Sequence, residues 1–301
     1  MSTSSVLFDL PGPRARRRQR IGSVVGLVLV LAIVGLALWR LGINGQLDPA
    51  RWAILFDTRT NVPQRLLEAL VNTLEVAAVG MVAATVLGAL LAVGRLSDHA
   101  WVRLPVSAVI EFFRAVPLLV LILFCFLYLP AIGIQTSAFG ALALGLTLYN
   151  MAVLAEIIRA GILSVDRGQS EAAFALGMRK WQVMTFILVP QAVRRMLPVL
   201  IAQLVVLLKD SSLGFIVGYL ELLRTSRSLV ETLNFQFGPI YTFQLYVAAG
   251  LIYIVVNVLL SLLARWVERR TRRSAKVAAG DEEELPVDVQ MGGGGGAVRP
   301  T

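Results

Sequence analysis

The stretch Val71–Gly94 reads VNTLEVAAVGMVAATVLGALLAVG and decides the fold class. It is almost entirely apolar and long enough for a membrane-spanning helix, which needs about 20 consecutive residues of this kind. Small residues recur at every fourth position, at Gly80, Ala84, Gly88 and Ala92. Helical spacing places them on one face, where a neighbouring helix can approach closely. That neighbour belongs either to the same chain or to another subunit, and packing within the chain is the expectation.

The composition of the whole chain agrees with a membrane protein. Of its 301 residues, 57% are hydrophobic and 16% are charged, and the mean hydropathy is +0.74. A soluble domain is about half apolar and about a quarter charged. The net charge of +9 raises the question of nucleic-acid binding, but the Arg residues lie at the ends of apolar stretches, where membrane topology places them. We therefore expect no nucleic-acid partner.

Six stretches have the length and composition of a spanning helix. The first follows a basic head and is longer than the apolar run of a cleaved signal peptide, which has about 7–15 residues, so it is interpreted as a retained anchor. The sequence thus predicts an all-α integral membrane protein with six transmembrane helices. The predicted spans are Ile21–Trp39, Val71–Gly94, Leu104–Leu129, Ile132–Ile157, Met196–Gly218 and Ile240–Ala264.

The distribution of Lys and Arg sets the expected orientation, because these residues are enriched in cytoplasmic segments. With the N-terminus inside, most of them fall on the cytoplasmic side. An even number of spans then places both termini in the cytoplasm of a multi-pass cell-membrane protein. Residues 1–20 are expected to form a basic cytoplasmic N-terminus, 21–39 the first span, 40–65 an outer loop, and 266–301 a disordered cytoplasmic tail.

The segment between the fourth and fifth predicted spans, residues 164–192, is expected on the cytoplasmic side. Phe174, Met178 and Trp181 recur at i, i+4 and i+7, which places them on one face of a short helix. Gly177 offers a break between two helical pieces. A compact apolar knob of this kind suits insertion into a groove on a partner. From amphipathicity alone, a helix lying flat in the lipid interface is an equally good interpretation.

The spacing of a motif within this segment favours docking. It resembles the EAA loop in permease subunits of bacterial ABC importers: Glu171-Ala172-Ala173, three residues, Gly177, nine residues, then Ile187 and Pro190. In that family the loop docks on the ATPase subunits. Val189 stands where Leu is usual before the Pro. The resemblance implies a coupling role for Glu171, Ala172, Ala173, Phe174, Gly177, Met178, Ile187 and Pro190.

Four further segments resemble the polar amino acid permeases of that family. They are Asn72-Thr73-Leu74, FFRAVPLL at Phe112–Leu119, AEIIRAGI at Ala155–Ile162 and LKDSSL at Leu208–Leu213. The resemblance covers about residues 66–265, which implies a type I ABC importer permease core, and it makes the first span an N-terminal addition to a five-helix core. The sequence around Tyr149-Asn150 and in residues 8–14 is most similar to that of actinobacterial glutamate permeases. Glutamate or another polar amino acid is the implied substrate.

The resemblance also implies protein partners besides the lipid bilayer. Such an importer also contains two ATPase subunits, a second permease subunit and an extracytoplasmic amino-acid-binding protein. The second permease subunit is either a sister chain or a copy of this one. ATP and Mg²⁺ belong to the ATPase subunits. Lys180, Lys209 and Lys276 all lie outside the G-x-x-x-x-G-K-[ST] pattern of a phosphate-binding loop, so no ATPase activity is expected in this chain. The single His, His99, is interpreted as a solvated loop residue, and no metal or cofactor is expected. An ion-gradient-driven secondary transporter and a non-transporting membrane scaffold are the alternatives.

Polar and ionisable residues at membrane depth are costly, and each is a candidate for the substrate pathway. Arg114 and Glu156 lie at matched depth with opposite charge, so the sequence predicts that they pair. Pro105 and Pro117 are expected to bend the third span. Helix packing is the alternative role for the polar residues. The pathway candidates are Thr73, Arg114, Thr147, Asn150, Glu156, Lys209 and Asp210.

Overall fold

The structure of the protein is a computed structural model that describes residues 12–280, with the backbone alone for Pro13, Ala15 and residues 267–280. Every regular element in this range is helical, as the sequence predicts. Residues 1–11 of the expected N-terminal segment and 281–301 of the expected tail lie outside the described residues. The helices are α1 (Pro13–Ile43), α2 (Pro49–Trp52), α3 (Val62–Arg95), α4 (Ala100–Ala115), α5 (Leu118–Leu123), α6 (Leu129–Ala131), α7 (Ala138–Leu163), α8 (Arg167–Ala175), α9 (Lys180–Gln182), α10 (Val189–Asp210), α11 (Leu222–Phe237) and α12 (Thr242–Gly280). Tighter 3-10 turns occupy Ala53–Leu55, Thr58–Thr60 and Ser211–Phe215, and wider π-helical turns occupy Phe124–Tyr128 and Val183–Leu188.

The described residues contain five helices that are long and apolar enough to cross a membrane, and one bent pair that makes a sixth span if it is counted as one. This agrees with the six predicted spans. The five helices are Arg16–Ile43, Val62–Arg95, Ala138–Leu163, Lys180–Phe215 and Thr242–Trp266, and the bent pair is Ala100–Ala115 with Leu118–Ala131.

The third predicted span, Leu104–Leu129, is not one straight helix. Its two halves differ in direction by 98° at the break between α4 and α5. Val116 at the break is extended, with φ −78° and ψ 128°, because the ring of Pro117 disfavours a helical residue before it. Pro105 lies inside α4 and does not end it. Pro117 therefore produces the predicted bend, and Pro105 does not.

Other helix boundaries differ from the sequence-based expectation. The fourth span begins at Ala138 rather than Ile132, since the Ser137 side chain caps it by accepting a 3.0 Å hydrogen bond from the Gly140 amide. The fifth begins at Lys180, within the predicted cytoplasmic loop. The last helix continues to Gly280, into the range 266–301 for which the sequence predicts a disordered tail. Arg, Ala, Glu and Lys dominate this extension, and all four favour helix.

Among the described residues, one compact unit combines residues 12–70 with 222–251. In it, the backbone carbonyl of Gln46 accepts hydrogen bonds from Gln244 Nε2 at 2.9 Å and from Trp52 Nε1 at 3.0 Å. The Trp52 ring packs edge-on against Phe243, with ring centroids 6.1 Å apart. The segment after α1, which includes the short helix α2, is thereby fixed to the beginning of α12.

The second compact unit combines residues 71–221 with 252–280, and α7 lies in its core. Leu142, Leu146 and Leu154 of α7 are fully buried. The small residues of α3 face this helix: a Cβ added at Gly88 lies 2.9 Å from the carbonyl oxygen of Met151. The small-residue face of α3 therefore packs within the chain, as expected.

Candidate functional site

The loop that carries the EAA motif is a helix-turn-helix. After α7 ends at Leu163, Asp166 caps α8 by accepting a 2.7 Å hydrogen bond from the Gly168 amide. The chain then turns at Gly177 and enters α9, the π-helical turn Val183–Leu188 and α10 without a further break. The predicted pair of short helical pieces is present, and the second piece is continuous with a membrane span.

Gly177 has a structural reason to be glycine. Its φ of +78° lies in the left-handed region, which costs other residues about 1–2 kcal/mol. The Gly177 amide donates to the Phe174 carbonyl at 2.9 Å, and the Met178 amide donates to the Ala173 carbonyl at 3.2 Å. This pair of bonds is a Schellman motif, which satisfies the last carbonyls of α8. The turn thus fixes the angle between the two arms of the loop.

The inner face of the loop packs against the bundle. Ala173 and Val183 are buried, and Ala192 joins a buried cluster with Ile162 and Val165 at the end of α7. Leu96, Ile158, Met184 and Leu188 pack around that cluster. The loop is therefore fixed to α7 and to the end of α3, and it is not a free surface segment.

The outer face of the loop exposes large apolar side chains. Phe174 is 49% exposed, Trp181 57% and Phe186 60%, and the Trp181 and Phe186 rings lie 5.9 Å apart. Leu176, just before Gly177, is 84% exposed. Sequence reasoning missed Leu176 and Phe186, although an apolar residue at the end of a helix before a turn glycine is a readable signal.

The predicted coupling residues divide between these two faces. Phe174, Met178 and Trp181 do not form one helical stripe, because α8 ends at Ala175. Phe174 and Trp181 are nevertheless exposed, while Met178 and Ile187 are half-buried. The remaining predicted positions are the exposed Glu171, Ala172, Gly177 and Pro190 and the buried Ala173.

Polar contacts tie the loop to its surroundings. Lys180 forms an ion pair with Asp98, which lies in the turn between α3 and α4. The hydrogen bond and the charge of Lys180 hold the pKa of the Asp98 carboxyl below its usual value. Arg195 of α10 donates to the Ser164 carbonyl, and Gln191 Nε2 donates to Gln169 Oε1 at 3.2 Å.

The predicted pair between Arg114 and Glu156 is wrong. Glu156 instead contacts Arg95, with Nη1 2.9 Å from Oε1, and Arg159, with Nη2 3.2 Å from Oε2. Arg95 also contacts Glu111, with Nη2 3.4 Å from Oε1. Arg114 is exposed on α4.

The other pathway candidates lie in varied surroundings. Thr147 Oγ1 donates to the Ala143 carbonyl at 2.7 Å, and Asn150 Nδ2 donates to the Leu146 carbonyl at 2.8 Å. Asn150 Oδ1 accepts a 2.8 Å hydrogen bond from Gln203 Nε2 on α10. Thr73 is buried, Lys209 is exposed and Asp210 is half-buried, and among the described side chains neither Lys209 nor Asp210 makes an ion pair.

Sequence reasoning also missed a buried carboxylate. Glu221, which precedes α11, is fully buried, and its Oε2 accepts a 2.7 Å hydrogen bond from the Tyr253 hydroxyl of α12. Beside it in sequence, the Tyr219 hydroxyl donates to the Asn72 carbonyl at 3.0 Å. Glu221 lies outside every predicted span, so nothing in the sequence indicated that its carboxylate is buried.

The family profile described as "binding-protein-dependent transport system inner membrane component" matches residues 84–273. The chain belongs to this family. As an inner-membrane permease, it is an integral membrane protein, and it is not the ATPase of its system. The predicted identification as an ABC importer permease is confirmed.

Curated relatives narrow the comparison. The glutamate transport system permease protein GluD of Corynebacterium glutamicum is 41% identical over 232 residues, which is 76% of this chain and 82% of that protein. The glutamate/aspartate import permease protein GltK of Escherichia coli O157:H7 is 35% identical over 228 residues, 72% of this chain and 98% of that protein. This permease therefore carries sequence beyond the length of GltK.

Solved structures agree with the fold. An amino acid ABC transporter crystallised with histidines has a chain that is 31% identical, with a TM-score of 0.64 over 71% of this permease and 97% of that chain. A chain of the MetNI methionine ABC transporter in an inward-facing conformation is 20% identical, with a TM-score of 0.59 over 69% and 96%. The predicted all-α type I importer permease fold is confirmed.

Proposed function

We propose that this permease is the transmembrane subunit of an ABC importer for a polar amino acid, with glutamate as the first substrate to test. The names and identities of GluD and GltK support this choice. The relative of Bacillus subtilis that is named a probable glutamine permease, 40% identical over 166 residues, makes glutamine the competitor to measure beside it.

In this proposal, the loop 164–192 couples ATP hydrolysis on partner subunits to alternating access of the permease. The observation that carries the proposal is the two-faced loop. Its inner face, at Ala173, Val183 and Ala192, is buried against the bundle, while Phe174 and Trp181 on its outer face are exposed. A fixed knob of apolar side chains suits a groove on another protein better than it suits water.

The proposed assembly contains two ATPase subunits, a second permease subunit and an extracytoplasmic amino-acid-binding protein around the core 66–265. Both termini are proposed to be cytoplasmic. Labelling with a membrane-impermeant maleimide tests this orientation, with cysteines placed at Ser4 and Ser274 after replacement of Cys125 by Ser. Labelling of either site in intact cells would contradict it.

The polar candidates at membrane depth support the substrate pathway unequally. Thr147 and Asn150 donate to carbonyls of their own helix, which favours a packing role. Arg114 is exposed on α4, so its guanidinium is accessible to a substrate carboxylate, which it can bind in a bidentate manner. Thr73, Glu156, Lys209 and Asp210 remain proposed pathway residues of lower rank.

Uptake into proteoliposomes tests the function. The permease is reconstituted with its ATPase, its sister permease and its binding protein, and labelled glutamate is supplied with ATP inside or outside the vesicle. We expect uptake that requires hydrolysable ATP at the loop side and is inhibited by excess glutamate more than by glutamine. Uptake driven by an ion gradient without any ATPase subunit would indicate a secondary transporter and overturn the proposal.

Replacement of Gly177 by Val tests the loop. No atom lies within 4 Å of an added Cβ, so the strain comes from the φ of +78°, which a β-branched side chain disfavours. With a distortion of about 1–2 kcal/mol at the turn, we expect glutamate uptake to fall about tenfold while the basal ATPase rate persists.

The matched control for this variant is Gly133→Val, in the turn before α7. Gly133 has φ +89° and also has open space around its Cβ position, so the strain is the same at a place away from the loop. Equal loss of coupling in both variants would mean that general destabilisation, and not the loop, explains the result.

A further inference from the structure

An ionic cluster joins the ends of three helices on the loop side of the bundle. Arg95 ends α3, Glu111 lies on α4, and Glu156 lies on α7. Arg95 contacts both carboxylates, at 2.9 Å to Glu156 and 3.4 Å to Glu111, and Glu156 also contacts Arg159 at 3.2 Å. Arg95 is the member that bridges all three helices.

The central pair of this cluster is shielded from solvent. The side chains of Arg95 and Glu156 are each 19% exposed, while that of Glu111 is 66% exposed. Removing one partner of a shielded pair leaves an uncompensated charge, whereas replacing both by neutral groups is often tolerated. The Arg95–Glu156 contact is therefore the costlier one to break, and the exposed Glu111 can separate from Arg95 at lower cost.

The helices around this pair are closely packed. Ala92 of α3, Ile110 of α4, and Ala152 and Ala155 of α7 are fully buried in one cluster directly beside it. The short side chains of the three Ala residues let the helices approach, and interiors packed in this way transmit displacement instead of absorbing it. Movement applied at the end of α3 is thus passed to α4 and α7.

The loop contacts the chain just beyond Arg95. Leu96 packs on the cluster of Ile162, Val165 and Ala192, through which the loop is fixed to the bundle. Asp98 forms an ion pair with Lys180, the first residue of α9. The short segment from Arg95 to Asp98 therefore contacts the loop through two residues and the helix ends through Arg95.

We propose that Arg95 is a positioning residue that passes movement of the loop to α4 and α7, and that Asp98–Lys180 is the contact through which the loop acts on it. This inference rests on the coupling role proposed above for the loop. Arg95 performs no chemistry and need not touch the substrate. Its guanidinium suits this task because its planar fork presents several donors and can hold two carboxylates in fixed directions.

The test measures coupling and stability together in the reconstituted importer. For Arg95→Gln, we expect the number of glutamate molecules taken up per ATP hydrolysed to fall about tenfold, with ATPase activity that still responds to the binding protein. For Arg95→Lys, which keeps the charge but not the fork, we expect partial recovery. Arg65→Gln, an exposed Arg near the opposite end of α3, is the control and should leave the ratio unchanged.

A double variant separates positioning from stability. Arg95→Gln with Glu156→Gln removes both charges of the shielded pair and leaves only the more exposed Glu111 and Arg159 charged, so the melting temperature in detergent should return towards that of the natural protein. Positioning requires that the coupling ratio stays low in this variant. A ratio that recovers with the melting temperature overturns the inference, since Arg95 would then act through stability alone.

Two exposed variants cover the case in which Arg95 variants do not fold. Asp98→Asn and Lys180→Gln break a solvent-exposed pair with little expected effect on folding, and each should lower the coupling ratio about two- to threefold. An unchanged ratio in both removes the loop contact from the proposal. If the natural protein shows ATP-dependent uptake and Gly177→Val uncouples it while these variants do not, the proposed function stands and the positioning role fails.

Discussion

The helices α1 and α7 show that hydropathy and burial are different properties of a membrane span. The apolar window of α1 has mean hydropathy 2.8 and is 0% buried inside the protein, whereas that of α7 has mean hydropathy 1.8 and is 61% buried. Lipid accepts any apolar side chain, so α1 needs no particular shape. A helix in the protein interior must fit its neighbours closely and must have partners for its polar groups. The residues Gly145, Thr147, Asn150 and Glu156 of α7 reflect these two requirements.

The largest difference between the two helices should appear when a large side chain is truncated. Leu146 of α7 is fully buried, and we expect Leu146→Ala to lower the free energy of unfolding by about 2–5 kcal/mol because it leaves a cavity. Leu31 of α1 is 60% exposed, so Leu31→Ala should change it by less than about 0.5 kcal/mol. Unfolding in mixed micelles measures both, and equal losses would refute the distinction.

A smaller difference is expected when a methyl group is added. A Cβ at Gly145 lies 2.5 Å from Ile122 Cγ1 and 3.0 Å from its Cα, so Gly145→Ala forces α5 and α7 apart and should cost about 1–3 kcal/mol. On α1, Gly26 has no atom within 4 Å, and Gly26→Ala should be neutral or stabilise by up to about 1 kcal/mol through helix propensity. The melting temperature in detergent should fall for Gly145→Ala and stay unchanged or rise for Gly26→Ala, and a similar fall in both would be inconsistent with this packing.

The smallest effect concerns a polar contact of α7. Asn150→Ala removes the bond from Gln203 Nε2 and should cost about 1 kcal/mol, the usual net value of one hydrogen bond. Gln203→Ala should cost a similar amount, and the double variant should cost less than the sum, because both single changes break the same bond. Simple additivity would show that the two side chains do not interact in the membrane.

The length of the apolar stretches was enough to predict the spans, and the spacing of the EAA motif was enough to locate the loop 164–192. The break at Gly177 was predictable because a single residue type tolerates its conformation, and the bend at Pro117 because a proline ring acts locally. The angle of that bend was not predictable, since it depends on what each half packs against.

Partners between helices could not be read from the sequence. Matched depth and opposite charge suggested Arg114 for Glu156, but depth leaves the rotation of each helix open, and Arg95 is the residue that faces Glu156. The hydrogen bond between Tyr253 and Glu221 joins residues 32 positions apart, and no repeated spacing in the sequence indicates it. Contacts of this kind depend on tertiary packing. The sequence determines that packing, but no local pattern in a single sequence reveals it.

The hydrogen bond from Gln244 to the Gln46 carbonyl, 198 positions earlier, also has a consequence for biosynthesis. Gln46 leaves the ribosome long before Gln244, and at about 5–20 residues per second the interval is on the order of 10–40 s. During that time the segment that contains Gln46 has left the ribosome, yet the helix that completes its fold has not been made. Trp52 is likewise without Phe243, so the segment is open to chaperones and proteases until Phe243 has been made.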